Sequence, residues 1–286
     1  MHEYEALEDY DAPSQGDVIR WVDAEWDRPW RCFGVVVTAD CDLALGKHGG
    51  VISYVPALTT EDYIWHRWRM DAVTSRLDAL LAKASGRVAG WRAKNGQRSE
   101  PPSPAAMRRW LERAGPETLL DEVGVVDKGQ RISLLNVFAP AVTVLECVNR
   151  AEPDLDLLSA AYGAINPKAA QDPRLMADDI QRSWSSLPGD VFHLPAMPED
   201  GAAPGRGLFL QLRHIRQVDA DALTARPDAI RDGSARARRI ARVSAPYRYA
   251  VTQALARVFS DVGLPDAYDD RRKTAARSFF NPEVPS

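Results

Sequence analysis

The feature that most constrains this chain is a change of hydrophobic period, made twice. Up to Leu58, and again after Pro188, apolar residues fall in short runs bounded by Gly, Pro and Asp, the mark of strands. Between Glu61 and Leu187 they recur every three or four positions, the mark of helices. Both ends of the chain are therefore expected to build one sheet, with a helical block between them. The expected fold class is α+β: a small curled β-barrel, discontinuous in sequence, with an inserted helical domain and a C-terminal helix. The expected boundaries are 12–59 and 188–264 for the barrel with its closing helix, 60–187 for the insertion and 265–286 for a tail.

Within the barrel, the spacing predicts strands over 16–22, 33–37, 51–58, 190–195, 207–219 and 236–243, and a short helix near 220–225. Phe33 and Val35-Val36-Val37 form a strand buried on both faces, with Gly34 allowing close backbone approach. The last helix carries Ser244 as N-cap, Pro246 in its first turn and an apolar stripe through Tyr247, Val251, Leu255, Val258, Phe259 and Val262. In the insertion, a long amphipathic helix is expected over 61–92, and others over 104–113, 116–123, 155–165 and 174–187. Ile132 to Phe138 fits either strand or helix, and Pro140, Pro153, Pro167 and Pro173 are expected to mark boundaries. Residues 1–15, acidic and ending in Pro13-Ser14-Gln15, read as a loosely attached arm.

At 286 residues, with 45% hydrophobic residues, the chain can bury a sizeable core. No run reads as a continuous apolar span of about 18 residues, and the acidic start lacks the basic, then apolar, pattern of a signal peptide, so a cytoplasmic protein without membrane contact is expected. Three cysteines without C-x-x-C spacing argue against a disulfide framework or a cysteine-built zinc site. The net charge of -4 excludes attraction of nucleic acid by the whole surface and leaves only local basic patches. P-loop, dinucleotide, H-E-x-x-H and G-x-S-x-G patterns are absent, and no cofactor or metal is implied.

The strand at Phe33 leads into Thr38-Ala39-Asp40-Cys41-Asp42-Leu43. Asp40 and Asp42 are candidates for acid/base work or a divalent ion, against turn capping and solvation. Cys41 is a candidate nucleophile if His48, His193 or His214 reaches it, against service as a small buried hydrophobe, which is the favoured reading. Arg236, Arg238, Arg239 and Arg242, with Arg213 and Arg216, are candidates for a phosphate-binding face. Against that stands a solvated strand face paired with Asp219, Asp221, Asp228 and Asp232. The tryptophans Trp65, Trp68, Trp91, Trp110 and Trp184 sit at core-filling positions, while Trp21, Trp26 and Trp30 lie near the expected barrel mouth.

Three stretches carry a family resemblance. Gly16-Asp17-Val18-Ile19-Arg20-Trp21-Val22, Gly34-Val35-Val36-Val37-Thr38 and Leu210-Gln211-Leu212-Arg213-His214-Ile215-Arg216-Gln217-Val218-Asp219 are similar to strands of the MazF/PemK toxin fold. By position the resemblance implies a site of Arg31 (or Arg28) and Thr38, the guanidinium holding phosphate and the hydroxyl assisting RNA cleavage. Arg31 is followed by Cys32 where the toxin pattern has Pro, and its distance to Thr38 is one residue longer. The T-x-x-C-D-L string from Thr38, and the S-x-P-Y-R segment from Ser244, also resemble bacterial defence-associated proteins. The preferred expectation is a non-catalytic binding module for a protein partner or nucleic acid, and the alternative is a MazF/PemK-like endoribonuclease.

Overall fold

The computed structural model describes residues 3–22, 32–97, 100–196 and 207–260, together with Arg271 and Thr274. Arg28, Arg31, Trp26, Trp30 and Val262 lie outside the described residues, as does nearly all of the expected tail.

The chain is a mixed α and β protein with a curled, half-barrel sheet. Its elements begin with β1 (Tyr4–Glu5), β2 (Asp17–Trp21), β3 (Phe33–Val36), the short helix α1 (Asp40–Ala44) and β4 (Val51–Thr59). Helices follow: α2 (Thr60–Tyr63), a π-helical turn (Ile64–Trp68), α3 (Arg69–Ala72), a 3-10 turn (Thr74–Arg76), α4 (Leu77–Lys94), α5 (Pro104–Val123), α6 (Lys128–Asn149), α7 (Leu155–Ile165) and α8 (Arg174–Trp184). The sheet resumes with β5 (Val191–Leu194), β6 (Leu208–Gln211), β7 (Arg216–Asp219) and β8 (Leu223–Thr224). It ends with α9 (Pro227–Arg231), β9 (Ala237–Val243) and α10 (Ala245–Ser260).

The strand order is β1-β9-β2-β3-β4-β6-β5, with β7 also on β4 and β8 on β9. Strands from both ends of the chain thus share one sheet, antiparallel except for the β8–β9 pair. One face holds Val18, Phe33, Val35, Val55 and Leu210 under Val251 and Val258 of α10. The other holds Ile19, Val36, Ile52, Tyr54 and Val218. Alternation along each strand, the period-two signal of a pleated chain, assigns these faces. Gly34 is needed here, because a Cβ at that position would stand 2.5 Å from Tyr54 Cδ2.

The helical block has its own core, with Trp65, Leu81, Met107, Leu119, Phe138, Val144 and Leu158 almost fully excluded from solvent. Its helices start where capping side chains stand: Thr59, Ser103, Asp127 and Asp154 each accept from the amide three residues on. A bridging cluster joins block to sheet. The Phe209 ring stacks on Tyr63 at 3.9 Å and on His193 at 4.1 Å, with Trp184 tilted against both Phe209 and His193.

Five expectations are corrected. The arm is tied down: β1 pairs with β9, the Tyr4 hydroxyl donates to Ala196 O, and the Ser244 amide donates to Glu3 O. The long helix over 61–92 is broken by the π turn and the 3-10 turn. Pro140 lies inside α6, because Leu134, Phe138, Ala141, Val144 and Leu145 bury one face of that helix and outweigh the one lost backbone bond. Residues 207–219 make two strands, parted by a turn in which the His214 amide donates to Gln211 O. The short helix near 220–225 is a 3-10 turn that leads into β8. Helix α6 is also long and apolar enough to cross a membrane by length and composition, and its apolar face lies in the core of the helical block.

Candidate functional site

Among the described residues, Thr38 and Asp40 at the strand end are taken up by hydrogen bonds to the main chain. The Thr38 hydroxyl accepts from Ser53 N at 2.7 Å and donates to Ser53 O at 3.4 Å, extending the β3–β4 ladder past the last residue of β3. Asp40 and Asp42 lie in the first turn of α1, and residues two apart on a helix point about 200° apart. Asp40 Oδ1 accepts from Gln15 N at 2.7 Å, and its Oδ2 lies 3.6 Å from Arg248 Nη1. No group of three or more metal-ligating side chains occurs among the described residues.

Cys41 is exposed, which corrects the expectation of a packing role, and its Sγ lies 3.9 Å from Asp42 Oδ1. The histidines considered as its partners are placed otherwise. His48 Nδ1 accepts from Gly50 N, His193 is in the aromatic stack, and His214 lines a pocket described below.

The basic run also divides. Arg239 is 4% exposed and donates to Asp17 Oδ2 at 2.8 Å, while Arg242 Nε donates to Asp17 Oδ1 at 2.7 Å. Asp17 is itself fully buried, so these two arginines neutralise a carboxylate inside the sheet. Arg238 is half-buried and, one residue before Arg239 on β9, points to the opposite side. Arg236 is exposed, and Arg213 is paired with Asp190 at 3.0 Å. Arg239 is thus turned into the sheet, and Arg213 is held by Asp190. Among the four aspartates expected to pair with the basic run, Asp228 pairs instead with Arg226.

Arg216 stands apart. It lines a pocket of about 420 Å³ with Pro56, Leu58, His66, Arg67, Gln211 and His214. The pocket exists because β4 changes partners. Its first half pairs with β7 (Val51↔Asp219 to Tyr54↔Arg216), and its end pairs with β6 (Ala57↔Leu210 to Thr59↔Leu208). The bonds Ala220 N to Gly50 O and Thr60 N to Gly207 O show that even-numbered residues of β4 direct their backbone groups toward β6 and β7. Pro56 falls in the gap and has no N–H to offer there, so the chain between β6 and β7 bows away without orphaning a donor. The side chains of Phe209 and Gln211 share one face of β6, toward the helical block.

The other wall is the π turn, a distortion that recurs at functional sites. Ile64, Trp65 and Trp68 enter the helical core, whereas His66 and Arg67 line the pocket. Arg67 Nη2 donates to Gln211 Oε1 at 3.3 Å. That bond fixes the orientation of the amide and leaves its Nε2, on a side chain whose residue is only 6% exposed, without a partner among the described residues. His66 Nε2 is likewise buried and unpartnered. Burial pushes the His66 imidazole below its usual pKa, with Asp62 opposing and Arg69 and Arg67 reinforcing the shift.

Two guanidiniums, two imidazoles and one buried amide donor thus converge over an apolar floor of Pro56 and Leu58. No carboxylate pairs with Arg67 or Arg216 among the described residues. A buried donor without an acceptor costs on the order of 1–3 kcal/mol, which an oxyanion would recover. Sequence reasoning named Arg216 and His214 but missed Arg67, His66 and Gln211. The available signal was Gln211 as the single polar residue in Leu208-Phe209-Leu210-Gln211-Leu212. No family model, no curated protein and no solved structure matches this chain.

Proposed function

We propose that the protein is a non-catalytic binding module whose ligand carries phosphate, with nucleic acid as the ligand class and the pocket between sheet and helical block as the anchor. The observation that carries this reading is the Gln211 amide, buried and donor-ready, with Arg67 holding its oxygen and Arg216 and His214 on the same wall. Arginine forks and amide donors match the acceptors of a phosphate group. The bonding of Thr38 to the Ser53 main chain and of Asp40 to Gln15 supports a structural role for the strand-end residues. A bacterial defence setting follows from the sequence resemblance alone and belongs to the same proposal.

Calorimetric titration with a short single-stranded oligonucleotide tests it. Arg67→Ala and Arg216→Ala should each weaken binding about tenfold, the loss of one charge-assisted contact. Thr38→Val should leave binding unchanged. Cleavage of mixed single-stranded RNA by the pure protein, abolished by Thr38→Ala, would overturn the binding-module reading in favour of the ribonuclease.

A further inference from the structure

We infer that the pocket takes a phosphorylated end of a single strand, one terminal nucleotide, and does not track a strand along its length. This rests on the phosphate-binding reading above and deepens it. Three observations support it. A cavity of about 420 Å³ has the size of a pocket for a single small ligand and cannot admit a duplex. Its lining divides by chemistry: Arg67, Gln211, His214 and Arg216 supply donors, and Pro56 and Leu58 supply apolar surface that can cover part of a base.

The third is the disposition of charge beyond the pocket. Extended binding needs a row of free cations to follow successive phosphates, and among the described residues several of the other arginines of the sheet and α10 are engaged by carboxylates. Arg213 is paired with Asp190, Arg239 and Arg242 with Asp17, and Arg248 approaches Asp40. With a net charge of -4, phosphates further along the strand gain no attraction from the surface as a whole. A terminal phosphomonoester carries up to two negative charges, against one for an internal phosphodiester. It therefore gains more from two guanidiniums and a buried amide donor at one point.

The experiment compares four ligands on the full chain by calorimetry: AMP, and one hexanucleotide bearing a 5′-phosphate, a 3′-phosphate or hydroxyls at both ends. One phosphorylated hexanucleotide should bind about tenfold or more tighter than the hydroxyl-ended one. Its log K should fall with log salt at a slope of about -0.7 to -1.4, the release expected for one or two phosphates of a single strand. Gln211→Met, which keeps the volume and removes the donor, should erase the preference for the phosphorylated end while the thermal transition stays in place. Equal binding of all three hexanucleotides, with a slope steeper than about -2, overturns the end reading and leaves phosphate binding intact. AMP binding without any phosphorylated hexanucleotide binding also overturns it. If none of the four binds, the phosphate-binding reading itself fails.

Discussion

Asp17→Asn isolates the buried charge cluster that links β2 to β9. Asp17 is fully buried on β2 and accepts from Arg239 Nη1 at 2.8 Å, Arg242 Nε at 2.7 Å and Ser14 N at 3.0 Å. β2 and β9 are neighbours in the sheet with Asp17 opposite Arg242, so one carboxylate serves two guanidiniums across one strand pair. Removing its charge leaves Arg239, 4% exposed, without a counter-ion. Breaking such a buried pair destabilises by about 3–5 kcal/mol, and the retained amide oxygen places Asn at the lower end. With a urea slope of about 3 kcal/mol/M for a chain of this size, the midpoint should fall by about 1 M. Hydrogen exchange should localise the loss to the amides of β2 and β9. The double variant Asp17→Asn with Arg239→Met should recover part of the stability relative to the single one, since the almost fully buried guanidinium is then gone and only Arg242, 20% exposed, has lost its counter-ion. A loss below about 1 kcal/mol, or a double variant no more stable than Asp17→Asn, would refute the reasoning.

Gly34→Ala should destabilise by about 1–3 kcal/mol, because the new Cβ meets the Tyr54 ring at 2.5 Å and that ring is held against Trp21; thermal denaturation measures it. Burial lowers the pKa of His193 in its aromatic stack, so the folded state binds fewer protons than the unfolded one. Its contribution to stability is therefore complete above the unfolded value near 6.5 and is lost as pH falls below it. Urea midpoints from pH 8 to pH 5 should fall, and His193→Phe should flatten the fall. Of the three cysteines only Cys41 is exposed, whereas Cys32 is buried with its thiol pushed up to about 11 by burial, and Cys147 is buried and raised in the same way. A thiol reagent at pH 8 should therefore label one cysteine quickly, and Cys41→Ser should abolish that fast phase.

Much of the sheet was legible because its strands are short apolar runs with Gly, Pro or Asp at their ends. Phe33 to Val36, Val51 to Thr59 and Ala237 to Val243 fall within a residue or two of their expected spans. The kink near Gly115 and Pro116 was legible for a local reason too: Gly115 has φ 73° and the proline that follows cannot extend a helix. What failed to show was set by tertiary packing. Nothing local distinguishes Pro140, inside α6, from a proline that ends a helix, because the deciding term is the face that α6 buries against α4 and α7. The role of Arg239 depends on Asp17, 222 positions away, so a basic run in sequence read as a surface. Arg67 and Gln211 meet across 144 positions, and only the change of partners at Pro56 brings them to one cavity. The strand-end string Thr38 to Leu43 was conspicuous by residue type, yet its hydroxyl and one carboxylate are taken up by main-chain bonds.

The central claim is that a buried amide and two guanidiniums, neither paired with a carboxylate among the described residues, make the seam between sheet and helices a phosphate site. Calorimetric titration of AMP and adenosine against the wild-type protein and Gln211→Met tests it most directly. Binding of AMP at least about tenfold tighter than adenosine, with the difference lost in Gln211→Met, is the predicted result. Equal affinity for the two ligands in the wild type, or an AMP preference that survives Gln211→Met, would contradict it.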